Sequence, residues 1–305
     1  MDVKSAFLYG ILKEEIYMEL PKGYREPGKV ARLKKRIYGV KQSAHEWYEC
    51  LTTSLQNNGF QPTNFDPYVF VHHTEQVFLS VYVDDKMIFR AATEFVKQLK
   101  LRLGKDFECK DMGNAQFILG LQIQTISEGI VIGQAAYFNK VLQRFGMADC
   151  NPVVMPLDDS QQLQVATPGT EIDHINEYQS IIGSLMYAVI GSRPDLAFTV
   201  AKLSQFSSRP NPTHLQAAKH VLRYLKGTID WTLFYPRAKP DTLSINCYAD
   251  SSYVNCLDTR RSYSGYVVTL GLSAFSWVSQ RQKSVAVSTT KAEYIVLLLD
   301  IHQLT

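Results

Sequence analysis

Alternating apolar and β-branched residues run through the first third of the chain, a pattern that predicts strands. From about Ala44 to Asn57 the spacing turns helical, and Asn58-Gly59 supplies a stop. Val77 to Val83, then Asp84-Asp85, then Lys86 to Phe89 reads as strand, tight acidic turn, strand. Phe95, Val96, Leu99 and Leu103 recur at helical spacing and predict a helix over Thr93 to Leu103. Phe117 to Ile123 and Gly129 to Gly133 predict a second hairpin.

From about Gln134 to Tyr235 helical spacing dominates, with Pro152, Pro156 and Pro168 marking an irregular connection. Asn211-Pro212-Thr213 is a helix start and Gly227 a stop, with Leu215, Ala218, Leu222 and Leu225 as the inward stripe between them. Lys219, Arg223 and Lys226 line another part of that helix, as a solvated face or as phosphate contacts. Pro236 to Pro240 reads as a linker. Beyond it Ser244 to Ala249, Tyr263 to Leu270 and Ala274 to Gln280 predict three strands. Ser288-Thr289-Thr290 then caps a helix, with Glu293 three residues after Thr290 as in a capping box. These elements divide the chain into residues 1–133, 134–238 and 239–305, with an α+β fold class.

Composition narrows the class without naming a function. With 46% hydrophobic and 20% charged residues among 305, the chain is ordinary globular protein, neither disordered nor fibrous. No apolar run approaches the roughly 18 residues that cross a bilayer. Met1-Asp2-Val3-Lys4 lacks the basic and apolar regions of a secretion signal, so an intracellular protein that is neither secreted nor membrane-bound is expected. Cys50, Cys109, Cys150, Cys247 and Cys256 are odd in number and scattered, which argues against a disulfide framework or a structural zinc site. The net charge of +3 implies no partner, but Lys29, Arg32, Lys34, Lys35, Arg36 and Lys41 follow one another with no acidic residue between. Such a stretch could neutralise phosphates, or be a solvated basic face.

Asp84-Asp85 raises a chemical question, because adjacent carboxylates repel unless a cation sits between them. A hard divalent ion such as Mg²⁺ takes oxygen ligands, needs few protein groups and leaves its other positions to substrate phosphates. On spacing alone a plain hairpin turn is the better reading of the pair.

Tyr82-Val83-Asp84-Asp85 resembles the Y-x-D-D signature of reverse transcriptases, and the resemblance extends over almost the whole chain. Asp2-Val3-Lys4-Ser5-Ala6-Phe7-Leu8 looks like the first motif of the polymerase palm. Ile16 to Tyr24, Leu33-Lys34-Lys35-Arg36-Ile37-Tyr38-Gly39-Val40-Lys41-Gln42, Tyr178 to Tyr187, Arg193-Pro194-Asp195-Leu196-Ala197 and Ala218 to Thr228 resemble copia-type retrotransposon polyproteins specifically. The resemblance implies a palm of antiparallel strands and packed helices over 1–133 and a helical thumb or connection over 134–238. It implies RNA-directed DNA synthesis on an RNA template with a DNA primer and deoxynucleoside triphosphates. Asp2 and Asp84 match the aspartates that hold a pair of Mg²⁺ ions, Mn²⁺ being the alternative, with Asp85 beside them as the less direct third member. Phe7 matches the aromatic that crowds the sugar 2′ position, and Gln42 the residue beside the incoming nucleotide. Tyr82, Lys34, Lys35 and Arg36 fall on the substrate side.

The third section resembles the opening of a copia-type RNase H domain, an α/β unit that acts on an RNA–DNA hybrid. The match runs through Tyr248-Ala249-Asp250-Ser251, Leu257 to Tyr266 and Ser288 to Tyr294. Asp250 and Glu293 match its first two metal-binding carboxylates. Taken without the resemblance, Glu293 fits a helix-capping role. Against the family pattern the chain is expected to be truncated at both ends, with the fingers segment before Asp2 and the later nuclease carboxylates missing. Asp300 lies roughly 10 Å along a helix from Glu293, too far to share an ion with it. Ser43-Ala44-His45-Glu46, Ile11 and Ser252 also depart from the pattern. The alternative reading is a catalytically inactive remnant that only binds nucleic acid. The family context implies association with other polyprotein products and residence in cytoplasmic particles or the nucleus.

Overall fold

The computed structural model describes residues 1–10, 14–90, 93–158, 163–237 and 244–304, with side chains for all of these except residue 41 and residues 299–304. Ile11, the side chains of Lys41 and Asp300, and residues 238–240 of the expected linker therefore lie outside the described residues. The fold is a mixture of helices and antiparallel sheets, an α+β protein of two compact units, Met1–Ala115 and Gln116–Thr305.

The first unit comprises β1 (Asp2–Val3), a one-turn 3₁₀ helix (Ala6–Tyr9), β2 (Tyr17–Glu19), β3 (Val30–Arg32), α1 (Lys41–Asn57), β4 (Gln61–Pro62), β5 (Val69–His72), β6 (Val77–Tyr82), β7 (Asp85–Phe89), α2 (Glu94–Asp106) and β8 (Cys109–Lys110). Its main sheet runs β4-β5-β6-β7-β1-β8, and β2 and β3 form a ribbon of their own. Trp47, Leu51 and Leu55 at four-residue steps on α1, and Leu99 and Leu103 on α2, are buried in one cluster with Val3, Phe70, Leu79 and Val81 of the sheet. Each such side chain contributes about 1.5–3 kcal/mol by leaving water. α1 starts three residues before the predicted Ala44, and its stop is as predicted, with Asn58 as cap and Gly59 at φ +84°.

The second unit contains β9 (Phe117–Ile118), β10 (Leu121–Thr125), β11 (Gly129–Gly133), α3 (Ala135–Arg144), α4 (Ile175–Gly191), a one-turn 3₁₀ helix (Pro194–Leu196), α5 (Ala197–Ser204), α6 (Pro212–Gly227), β12 (Leu233–Pro236), β13 (Ile245–Ser252), β14 (Tyr263–Leu270), β15 (Ser273–Arg281) and α7 (Thr289–Leu304). Two antiparallel sheets, β12-β11-β10-β9 and β13-β14-β15, accompany the helices. Phe117 to Ile123 is not the single strand its apolar run predicts. Leu119 (φ +48°) and Gly120 (φ +76°) fold it back on itself, the left-handed pair that a two-residue hairpin demands. Because β11 pairs with β12 a hundred residues later, this hairpin belongs to the second unit rather than ending the first at residue 133.

α6 follows its start signal. Asn211 caps it, Pro212 opens it, and the His214 ring and Asn211 side chain exchange hydrogen bonds with each other's backbone at 3.0 Å. His214 is fully buried and stacked on Phe206 at 3.9 Å, and burial lowers its pKa below the ordinary 6.5. The unfolded chain then binds the extra proton first as pH drops. The stability that a neutral His214 preserves is thus complete above about pH 6.5 and lost as pH falls below it. Urea midpoints followed by tryptophan fluorescence should decline from about pH 7.5 to about pH 5.5, and His214→Gln should flatten that decline.

The Arg193-Pro194-Asp195 string pairs a buried arginine with a solvent-exposed aspartate. The Arg193 guanidinium is 1% exposed and donates to both Asp195 oxygens (2.9 and 2.7 Å), to Thr228 O (3.2 Å) and to Thr228 Oγ1 (2.6 Å). The rings of Phe138, Tyr224 and Trp231 stand 5.5–5.7 Å from it. At α7, Ser288 is the capping residue, since its Oγ accepts from Lys291 N (3.1 Å). Thr290 is therefore already helical, and Glu293 is not the partner in a capping box.

Candidate active site

β1 lies in the interior of the first sheet, held on both sides. Asp2 stands opposite Asp85 in one direction and Lys110 in the other. Val3 N donates to Asp84 O (3.0 Å), Lys86 N to Met1 O (2.8 Å) and Met1 N to Lys86 O (2.8 Å). Asp2 is therefore firmly held, its backbone locked against the acidic hairpin. The turn of that hairpin is Val83-Asp84, not Asp84-Asp85, because Tyr82 pairs with Asp85 and Asp85 opens β7. Asp2 and Asp85 face each other on the more open side of the sheet beside exposed Tyr82, while Val81 and Lys86 share the buried side.

Val83 takes φ +54°, a conformation that costs a β-branched residue of order 1–3 kcal/mol. Trp47 holds it there, donating its indole N–H to Val83 O (2.6 Å) from beneath the turn. The same indole lies under the Lys86 ammonium, 5.1 Å from the ring centre. Lys86 is only 3% exposed and its Nζ has no hydrogen-bond partner. Burial pulls its pKa down to about 8, against the opposing pull of Cys109, Asp84, Asp2 and Asp85.

Above the sheet, Tyr38 approaches the acidic tip. Burial first, then the Asp84 carboxylate with its hydrogen bond to the phenol, then Asp2, push the Tyr38 phenol above its usual pKa. Its ring packs on Phe7, with centroids 4.5 Å apart. Phe7 sits half-buried in the one-turn helix that Ser5, at φ +54°, starts, so it is not the strand residue its surroundings suggested. Gln42 is exposed on the first turn of α1, with Nε2 3.5 Å from Glu14 Oε2.

The basic stretch is largely neutralised in space by acids from elsewhere in the sequence. Lys29 pairs with Glu26, and Arg32 with Glu15 (2.7 Å). Arg36 is 1% exposed and bonded to Glu46 (3.1 Å), and a Cβ at Gly10 would fall 3.0 Å from its Cδ. Arg36 is thus corrected from a substrate-facing cation to a buried structural one. Lys34 and Lys35 are exposed and make no ion pair among the described residues.

In the second unit, Asp250 is exposed on β13 opposite Gly265, and Glu293 is half-buried on α7. Gln282 ties their neighbours together, its Nε2 donating to Ser264 Oγ (2.9 Å), Ala292 O (3.0 Å) and Ser251 Oγ (3.4 Å). Of the α6 cations, Lys219 pairs with Glu177 (2.8 Å) and Arg223 Nε donates to Asn151 O (2.7 Å).

Among the described residues no three His, Cys, Asp or Glu side chains converge to hold a metal ion. The donor set in the first unit is nevertheless adequate for a hard ion that takes one or two carboxylates and completes its shell with water and phosphate. Lys86 and Tyr38 were missed by sequence reading as parts of this site. The signal for Lys86 was a lone charge in strand register with Val81.

Residues 1–159 match the family model described as reverse transcriptase (RNA-dependent DNA polymerase). The chain is similar to the retrovirus-related Pol polyprotein from transposon TNT 1-94 of Nicotiana tabacum, 37% identical over 97% of this chain and 23% of that protein. It is likewise 37% identical to the Pol polyprotein from transposon RE2 of Arabidopsis thaliana, over 96% of this chain and 20% of that protein. A putative transposon Ty5-1 protein of Saccharomyces cerevisiae is 32% identical, with 97% of both chains covered. The chain therefore spans about a fifth of the length of the two transposon polyproteins. Among the described residues no helix is long and apolar enough to cross a membrane.

Proposed function

The chain belongs to the reverse transcriptase (RNA-dependent DNA polymerase) family in its copia-type retrotransposon branch, and from that membership we propose that residues 1–115 carry the nucleotidyl-transfer site of an RNA-directed DNA polymerase. The observation that supports this most is the register of Asp2 against Asp85, with Val3 bonded to Asp84, which gathers the acids of two distant segments at one edge of a hairpin.

In this reading Asp2 and Asp84 hold two Mg²⁺ ions, or Mn²⁺ in their place, with Asp85 adding charge beside them. Bound there, the ions would acidify the primer 3′-hydroxyl and neutralise the triphosphate and the leaving pyrophosphate. The chain's own part is to keep the two carboxylates at a set spacing, which the ladder on both sides of β1 and the Trp47 bond to Val83 provide. Phe7 on its Tyr38 support would crowd a ribose 2′-hydroxyl and favour deoxynucleotides. Gln42, Tyr82, Lys34 and Lys35 are exposed and free to meet nucleotide, template and primer. Residues 116–238 would serve as thumb and connection. Residues 239–305 would be a partial RNase H-like unit in which Asp250 and Glu293 are the acids that meet an RNA–DNA hybrid.

The test is primer extension on poly(rA)/oligo(dT) with Mg²⁺ and thymidine triphosphate. Template-dependent incorporation by the chain is the expected outcome. Salt-sensitive binding without incorporation would instead favour a remnant that only holds nucleic acid. That second reading draws on the lack of any converged set of three metal-binding side chains among the described residues.

A further inference from the structure

Lys86 sits where the surrounding pattern calls for an apolar residue. Val77, Leu79 and Val81 of β6 point into the core, and Lys86 pairs with Val81 on that same face. A buried ammonium without a hydrogen bond is costly, and a methionine of similar length would avoid the cost. Two things offset it here. One is the Trp47 ring, 5.1 Å below the Nζ. The other is the nearness of acids: Lys86 follows Asp84 and Asp85 in the chain and is bonded through its backbone to Met1, beside Asp2, and the charge of these acids opposes the loss of its own.

We propose that Lys86 is a built-in counter-charge for the Asp2, Asp84 and Asp85 carboxylates, one that holds them together without metal and lowers their affinity for divalent cations. The proposal rests on the reading of those carboxylates as an ion site. If Lys86 and a dication draw on the same three carboxylates, their binding energies oppose each other, and by linkage the opposition is mutual. An ammonium beneath the sheet therefore makes the acids easier to assemble and harder to load. Trp47 is the positioning residue of the arrangement, since one indole fixes both the ammonium and the strained turn that carries Asp84.

The experiment is Mn²⁺ titration of the full chain, followed by the paramagnetic resonance signal of free Mn²⁺, in wild type, Lys86→Met and Asp84→Asn. Lys86→Met should bind Mn²⁺ on the order of a hundredfold more tightly, as expected when a unit charge roughly 12 Å from a dication is removed from a medium of effective dielectric constant about 20. Its thermal midpoint without metal should gain more from saturating Mn²⁺ than that of wild type. Asp84→Asn should lose the binding. Equal affinities for wild type and Lys86→Met, with binding lost in Asp84→Asn, would overturn the counter-charge and leave the ion site standing. Weaker binding by Lys86→Met would overturn it too. Binding that is indifferent to Asp84→Asn would remove the ion site itself, and the counter-charge with it. Lys86→Gln, neutral and polar, serves in place of the methionine variant should that one fail to fold.

Discussion

Asp84→Asn is expected to reduce primer extension by on the order of 10³-fold or more, because the several kcal/mol that a divalent ion supplies to a phosphoryl-transfer transition state depend on the charge that holds the ion. The substitution keeps shape and hydrogen-bonding capacity at the turn, so Val3 N still meets residue 84 through the backbone oxygen and β1 stays in register. Folding should therefore be intact. Far-ultraviolet circular dichroism and the urea midpoint should match wild type, while steady-state incorporation collapses. The loss should appear in kcat more than in the KM for nucleotide, as expected for an interaction that strengthens toward the transition state. Asp149→Asn, an exposed change in the second unit, should leave incorporation unchanged. A kcat for Asp84→Asn within threefold of wild type, roughly 0.6 kcal/mol, would remove the aspartate from the chemistry.

The second large effect is on stability. Arg193→Ala should cost about 2–5 kcal/mol, from the cavity left by a large buried side chain and the hydrogen bonds lost with it. That is a large part of the 5–15 kcal/mol that typically separates folded from unfolded domains. The loss reaches several segments at once: among the described residues Asp195 is left with the Tyr224 hydroxyl (3.0 Å), Thr228 O loses the Arg193 donor, and three rings lose the cation between them. Arg193→Lys should recover little, because a single ammonium cannot reproduce the forked donation to both Asp195 oxygens. Urea unfolding read by tryptophan fluorescence is apt, since Trp231 abuts the guanidinium.

Much of the local structure was legible because it follows short-range rules. The α6 start at Asn211-Pro212 and the β6–β7 hairpin depend on neighbours within a few residues. β14 matches its predicted bounds because Tyr263–Leu270, paired on both sides, is rich in the aromatic and β-branched residues that favour strands. The chain folds back at Leu119-Gly120 within an unbroken apolar run, and periodicity carries no information about a reversal. Arg36 misled for another reason. Its acidic partner, Glu46, is ten residues away on α1, so the local run of positive charge concealed a pairing made only in the fold. Asp2 and Asp84 could be paired from the family's motifs, whereas Lys86 needed the strand register to show which face its side chain takes.

The pairing of β11 with β12 also bears on how the protein is made. Gly129–Gly133 leaves the ribosome roughly a hundred residues before Leu233–Pro236, a delay of about 5–20 s at ordinary translation rates. Through that interval one edge of a sheet has open hydrogen-bonding groups and no neighbour, the condition under which nascent chains add to one another. Ribosomes stalled or messages cut short inside that window should yield insoluble products, and those that pass residue 236 should not.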